Sequence, residues 1–99
     1  MNVVINVKVR LLGVFRGISG KRWVPMELEG PTTVRKLIQK LTEAFSPRFK
    51  RVLIDPELED PRPNALVLVN GKEISVSKGL ETKVNDGDEI VLVPVSHGG

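Results

Sequence analysis

Leu28-Glu29-Gly30-Pro31-Thr32-Thr33-Val34-Arg35-Lys36-Leu37-Ile38-Gln39-Lys40-Leu41 is where the chain changes its repeat, and that change decides the fold. Before it the pattern has period two. From Asn2 to Leu12, Val3, Ile5, Val7, Val9 and Leu11 fall on one face, with Asn6, Lys8 and Arg10 on the other, which predicts a half-buried strand. Gly13, Gly17 and Gly20 bracket a long turn, and Lys21 to Glu29 reads as the second strand of a hairpin. Pro25 inside it cannot donate to a ladder, so it predicts an edge position or a bulge. After Gly30-Pro31-Thr32 the period becomes helical: Val34, Leu37, Ile38, Leu41 and Phe45 make one stripe over Thr33 to Phe45. Thr32 or Thr33 can cap its start. Ser46-Pro47 stops it, because the residue before proline is pushed out of the α region.

Downstream, Arg48 to Asn64 is irregular, with Phe49, Val52, Leu53 and Ile54 able to tuck against the core. Asp55 to Pro63 reads as an exposed, acidic, proline-rich loop. Ala65-Leu66-Val67-Leu68-Val69 is a continuous apolar strand of the kind found at a sheet centre, and Asn70-Gly71 is a hairpin-turn signal. Glu73 to Val76 reads as a short return strand, Asn85 to Asp88 as a turn, and Glu89 to Val95 as the last strand. The order strand, strand, helix, strand, short strand, strand predicts an α+β chain: a mixed sheet packed on one main helix, the β-grasp arrangement. The expected organisation is one domain over residues 1–95 and a tail over residues 96–99.

Composition narrows the chemistry. The 99 residues suit a single modest core, and 40% hydrophobic with 27% charged residues is the balance of a folded globular chain. No apolar run is long enough for a bilayer span, and the alternating start is unlike a signal peptide, so a cytoplasmic location and no membrane partner are expected. Cysteine is absent, which removes disulfides, thiolate metal sites and a cysteine nucleophile. One histidine and scattered carboxylates leave no triad, no metal cluster and no acid/base pair, so no catalytic residue and no bound cofactor is expected. Asp86-Gly87-Asp88-Glu89 lacks the remaining ligands of a calcium loop and reads as a turn feeding a strand. The net charge of +3 raises the question of nucleic acid, but the basic residues alternate with acidic stretches. The aromatics Phe15, Trp23, Phe45 and Phe49 are too few for a stacking platform, so no direct nucleic-acid contact is expected.

The end of the chain is different. Strand residues run through Val95, so from Pro94 to Gly99 six residues at most project, reaching roughly 20 Å at full extension. Gly98 and Gly99 lack a Cβ and can pass a narrow channel. The Gly99 carboxylate is inert until its oxygen becomes a leaving group, which adenylation by ATP would achieve. Asn85-Asp86-Gly87-Asp88-Glu89-Ile90-Val91-Leu92-Val93-Pro94-Val95-Ser96-His97-Gly98-Gly99 resembles the end of the ubiquitin-like sulfur carriers, the molybdopterin synthase small subunit and its archaeal modifier relatives. Arg62 to Asn70 and the His97-Gly98-Gly99 ending are more similar to the eukaryotic ubiquitin-related modifier that thiolates transfer RNA. Pro94 suits the first branch and His97 the second.

That resemblance implies an E1-like enzyme that consumes ATP to adenylate Gly99, followed by sulfur transfer to give a thiocarboxylate. It also implies a partner beyond the activating enzyme: a molybdopterin synthase large subunit, a tRNA thiolase, or proteins whose lysines accept the activated end. His97, with Ser96 and Pro94, is expected either to contact the activating enzyme or to serve as spacer. Val91 and Val93 face away from Ile90 and Leu92, and with Val67 and Val69 they form a candidate docking face, unless the Phe49-to-Ile54 segment covers it. Trp23 is expected to be partial core. The rival reading is a passive β-grasp interaction module whose tail is incidental.

Overall fold

The computed structural model describes residues 3–95. In chain order the elements are β1 (Val3–Leu11), α1 (Gly13–Ser19), β2 (Trp23–Gly30), β3 (Thr32–Thr33), α2 (Val34–Glu43), α3 (Pro47–Leu53), β4 (Ala65–Val69), β5 (Lys72–Glu73), β6 (Lys83–Val84) and β7 (Glu89–Pro94). Short 3-10 turns occupy Ile74–Val76 and Gly79–Glu81. Five strands form one mixed sheet in the order β2-β1-β7-β4-β5. β1 runs parallel to β7, pairing Val9 with Ile90, and every other neighbour is antiparallel. This is the ubiquitin-like β-grasp.

The alternation in β1 buries Ile5, Val7, Val9 and Leu11, as the period-two pattern requires. Pro25 lies on β2, which is an edge strand, where a missing N–H costs no ladder bond. α2 lays Val34, Leu37, Ile38 and Leu41 on the sheet, and the Thr33 hydroxyl caps it by accepting from the Lys36 N–H. Thr32 instead joins β3, which pairs with β6 in a second, two-stranded sheet.

Four expectations need correcting. The Gly-rich turn after β1 contains a helix, α1, whose Phe15 is fully buried and meets Phe49 edge-on at 6.3 Å. The irregular segment begins with another helix, α3: α2 already stops at Glu43 with Ala44 as its C-cap, short of the expected Phe45, and Ser46 caps the next helix, its hydroxyl accepting from the Phe49 N–H, with Pro47 in the first turn where its missing N–H is harmless. The return strand is only Lys72–Glu73, because Ile74 turns inward at the head of a 3-10 turn. The sheet centre is β7, not β4. β4 is flanked by the two-residue β5, and Leu66 on its outer face is 40% exposed, so its continuous apolar run does not reflect burial on both sides.

Candidate functional site

The last strand is fixed at both ends. At its start, two turns lock together. Asn70 and Gly71 both take positive φ, 50° and 83°, the left-handed pair of a type I′ hairpin. The Asn70 side-chain amide donates to the Asp88 carboxylate at 2.8 Å, and its carbonyl oxygen accepts from the Glu89 N–H at 2.9 Å. The second Asp88 oxygen accepts from the Asn85 N–H at 2.8 Å, and the Asp86 carboxylate accepts from the Asn6 N–H at 2.7 Å. Asp88 is therefore a buried, fully engaged turn residue, the role that the Asn85-to-Asp88 reading assigned it. Among the described residues no group of His, Cys, Asp and Glu could hold a metal ion.

At its other end β7 delivers the chain to the tail. Pro94 pairs with Ala65, and the Val95 N–H donates to the Asn64 carbonyl at 3.0 Å. On the opposite flank Gly13, at φ 53°, brings the start of α1 against the proline ring. A Cβ there would sit 2.7 Å from the Pro94 Cγ, so the close approach requires glycine. Val95 is thus tied into the fold, so Pro94 and Val95 do not project as the six-residue reach expected. Gly98, Gly99, His97 and Ser96 lie outside the described residues.

The loop before β4 is more ordered than its composition suggests. One Asp55 carboxylate oxygen accepts from the Glu57 and Leu58 N–H groups at 3.0 and 2.9 Å. Asp60 accepts from the Arg62 guanidinium at 2.6 to 3.0 Å and from its N–H at 2.8 Å. The hydrogen bond from the Arg62 side chain lowers the Asp60 carboxyl from its ordinary pKa against the opposing effect of burial, and the same bond raises Arg62. Pro61 is buried and its carbonyl accepts from the Ala65 N–H, so the loop sets Asn64 where it receives Val95.

The candidate docking face needs a correction of register. β4 pairs Val67 with Leu92 and Val69 with Ile90, so Val67 and Val69 look toward the helices and Val67 is fully buried. Val91 and Val93 share the outer face with Leu68 and Leu66 instead. That face also carries Arg10, which pairs with Val91, and Trp23, 42% exposed with the Arg10 guanidinium 5.6 Å from its ring centre. Trp23 is therefore an outer-face residue, not core. The Phe49-to-Ile54 segment packs on the helical side: Phe49 and Leu53 join the main core, so it leaves the outer face open. Gly13, Leu66, Leu68 and Arg10 escaped the sequence reading. The parity of β4 against β7 could have placed the two leucines once the pairing was known.

A mixed β-grasp sheet whose last strand is fixed at both ends is the fold of the small ubiquitin-like proteins. The chain belongs to the ThiS family, whose model matches residues 9–99. It is 32% identical to the ubiquitin-related modifier 1 of Saccharomyces cerevisiae, over 96% of this chain and 99% of that protein. It is 37% identical to a protein named as a sulfur carrier in Archaeoglobus fulgidus, over 68% of this chain and 74% of the other. The small archaeal modifier protein 1 of Methanosarcina acetivorans superposes with a TM-score of 0.79 at 30% identity, covering 98% of this chain and 99% of that one. The chain is a ubiquitin-like sulfur carrier or protein modifier, not an enzyme in its own right. Among the described residues no helix is long and apolar enough to cross a membrane.

Proposed function

We propose that residues 1–95 form a rigid cytoplasmic handle for a tail, residues 96–99, whose Gly99 carboxylate is activated by an E1-like adenylating enzyme. The observation that carries this reading is the fixed root of the tail: Pro94 on Ala65, Val95 on Asn64, and Gly13 against the proline. A fixed root lets a partner that grips the domain present a narrow site to Gly98 and Gly99, with the enzyme supplying ATP and the leaving-group chemistry. The carboxylate attacks the α-phosphorus of ATP, releasing pyrophosphate and leaving an acyl adenylate. A hydrosulfide sulfur then displaces AMP to give the thiocarboxylate, or a lysine amine does so to give an amide. The two relatives, one named a modifier and one a carrier, support both outcomes, and a solved structural neighbour is itself seen in complex with a partner protein.

The outer face of Leu66, Leu68, Val91 and Val93 is the surface offered to that enzyme, with Pro94, Ser96 and His97 as contacts or spacer along the tail. A molybdopterin synthase large subunit, a tRNA thiolase and lysine-bearing acceptors are the downstream candidates. The decisive experiment deletes Gly99 and measures ATP–pyrophosphate exchange with the E1-like enzyme. Exchange should vanish, and undiminished exchange sinks the reading in favour of a passive interaction module. Intact mass of the chain from its own host then sorts the end use. One oxygen-for-sulfur exchange at Gly99 marks a carrier, and Gly-Gly branches on other proteins' lysines mark a modifier.

A further inference from the structure

We propose that the end of the domain from which the tail leaves is a basic collar that docks a partner protein bearing carboxylates around the tail's entry. The inference builds on the reading of Gly99 above. The first 26 residues carry Lys8, Arg10, Arg16, Lys21 and Arg22 and no acid, and residues 44–54 add Arg48, Lys50 and Arg51, again without one. The fold brings these two stretches together. Phe15 on Phe49 seats α1 against α3, and the Leu11 N–H donates to the Arg22 carbonyl at 2.8 Å, closing the start of β2 onto the end of β1. Arg10, Arg16, Lys21, Arg22 and Arg48 thereby collect at the end where β7 hands over the tail, all of them exposed.

The opposite end is acidic. Glu27 stands across from Asn6 and Glu29 across from Val4, the Asp86 carboxylate sits on the Asn6 N–H, and Glu89 pairs with Lys8. The outer face of the sheet around β1 therefore runs from the acids of β2, β7 and the Asp86 turn to the bases at the tail end. The ion pairs among the described residues are Arg35 with Glu81 and Arg62 with Asp60, and neither involves the collar. Twelve acids are available in this chain, yet none approaches these cations to within ion-pair distance among the described residues. Clustered like charge costs the folded state free energy, and it raises encounter rates with a surface of opposite sign.

A protein fits this surface better than a nucleic acid does. The collar continues through Arg10 and Val91 into the apolar strip of Leu66, Leu68 and Val93, giving an apolar centre with a charged rim. Trp23, the exposed aromatic beside it, has the Arg10 guanidinium over its ring, so no open stacking platform is offered to bases.

Two measurements test this. The full isotope-labelled chain is titrated by NMR with a polyglutamate peptide and, separately, with a single-stranded oligoribonucleotide. The peptide should shift the amides of Arg10, Arg16, Lys21, Arg22 and Arg48 and spare Lys36, Lys40 and Lys72. Shifts spread over all lysines, or tighter binding of the RNA at the collar, overturn the proposal. In the second, ATP–pyrophosphate exchange with the E1-like enzyme purified from the source organism is compared for wild type, the double variant Arg16→Glu/Arg22→Glu, and Glu29→Lys. The double variant should lose roughly tenfold or more in kcat/KM through KM, with kcat kept and the wild-type dependence on salt flattened. Glu29→Lys should match wild type. An unchanged kcat/KM in a double variant with a wild-type circular dichroism spectrum overturns the collar. No exchange by the wild-type chain overturns the Gly99 reading itself, and the peptide titration then decides the collar on its own.

Discussion

The two ends of the β7 strand are built on opposite principles. Where it begins, the Asn70-Gly71 and Asn85-to-Asp88 turns answer each other's polar groups, so that one buried carboxylate serves two donors. Where it finishes, cations stand without acids, and a glycine in the left-handed region is pressed against a proline. The first end spends its polar groups on itself. The second leaves its cations unpaired among the described residues and makes a backbone approach that only glycine allows. Like charges held together cost the folded state free energy that packing must offset, and here that packing includes the Phe15–Phe49 contact between α1 and α3.

The largest effect should therefore come from Phe49→Ala. The ring is fully buried between Phe15 and Phe45, whose centroids lie 6.3 and 5.0 Å away. Its loss should cost about 3–5 kcal/mol in denaturant unfolding. A loss below about 1 kcal/mol would mean that α1 and α3 are an appendage that can relax independently of the sheet. Next comes Asp88→Ala at the opposite end. It strands the Asn70 amide and the Asn85 N–H in a site only 8% exposed, and should cost about 2 kcal/mol. Asp88→Asn keeps one acceptor and should cost less. If both variants cost equally, the lock is electrostatic rather than a matter of hydrogen-bond count.

The same contrast explains what the sequence could disclose. The turn end is written in local chemistry: Asn-Gly demands a type I′ turn, and Asn-Asp-Gly-Asp a tight return, whatever surrounds them. The β1 alternation and the α2 stripe are equally local, so the β-grasp order was legible. The tail end is made by contacts between distant segments. Gly13, Gly17 and Gly20 argue against helix by propensity, and α1 forms because Phe15 finds Phe49. Ser46-Pro47 reads as a helix stop, yet the same pair is a helix start, a capping hydroxyl followed by a first-turn proline. The sequence puts the candidate docking strip on Val67 and Val69 because an all-apolar strand does not reveal which face is inward. Only the pairing of Val67 with Leu92 settles it. The gathering of cations is half local: two acid-free basic stretches stand in the sequence, and the Phe15–Phe49 contact is what brings the second beside the first.

Gly13→Ala sharpens the comparison at the tail's root. The new Cβ meets the left-handed φ and the Pro94 ring together, and a net loss of about 1–2 kcal/mol is expected from thermal or denaturant unfolding. Combining it with Pro94→Ala removes the steric part, so the double variant should recover part of that loss. Full additivity would show that the two residues do not touch in solution.

The smallest effect belongs to the loop that carries Asn64, and it sets a baseline for charges that are paired. Asp60 holds its proton less tightly in the fold than in the unfolded chain, because the Arg62 side chain donates to its carboxylate. A carboxyl whose pKa falls on folding adds stability that is complete above its unfolded value, near 4, and drains away as the pH falls through the lower folded value. Asp60→Asn should therefore cost less than about 1 kcal/mol at neutral pH, since Arg62 is nearly half exposed and water screens the pair. It should also flatten the acid limb of the stability curve below about pH 4. A limb that stays as steep would show that the Asp60–Arg62 pair does not set the acid sensitivity of the fold.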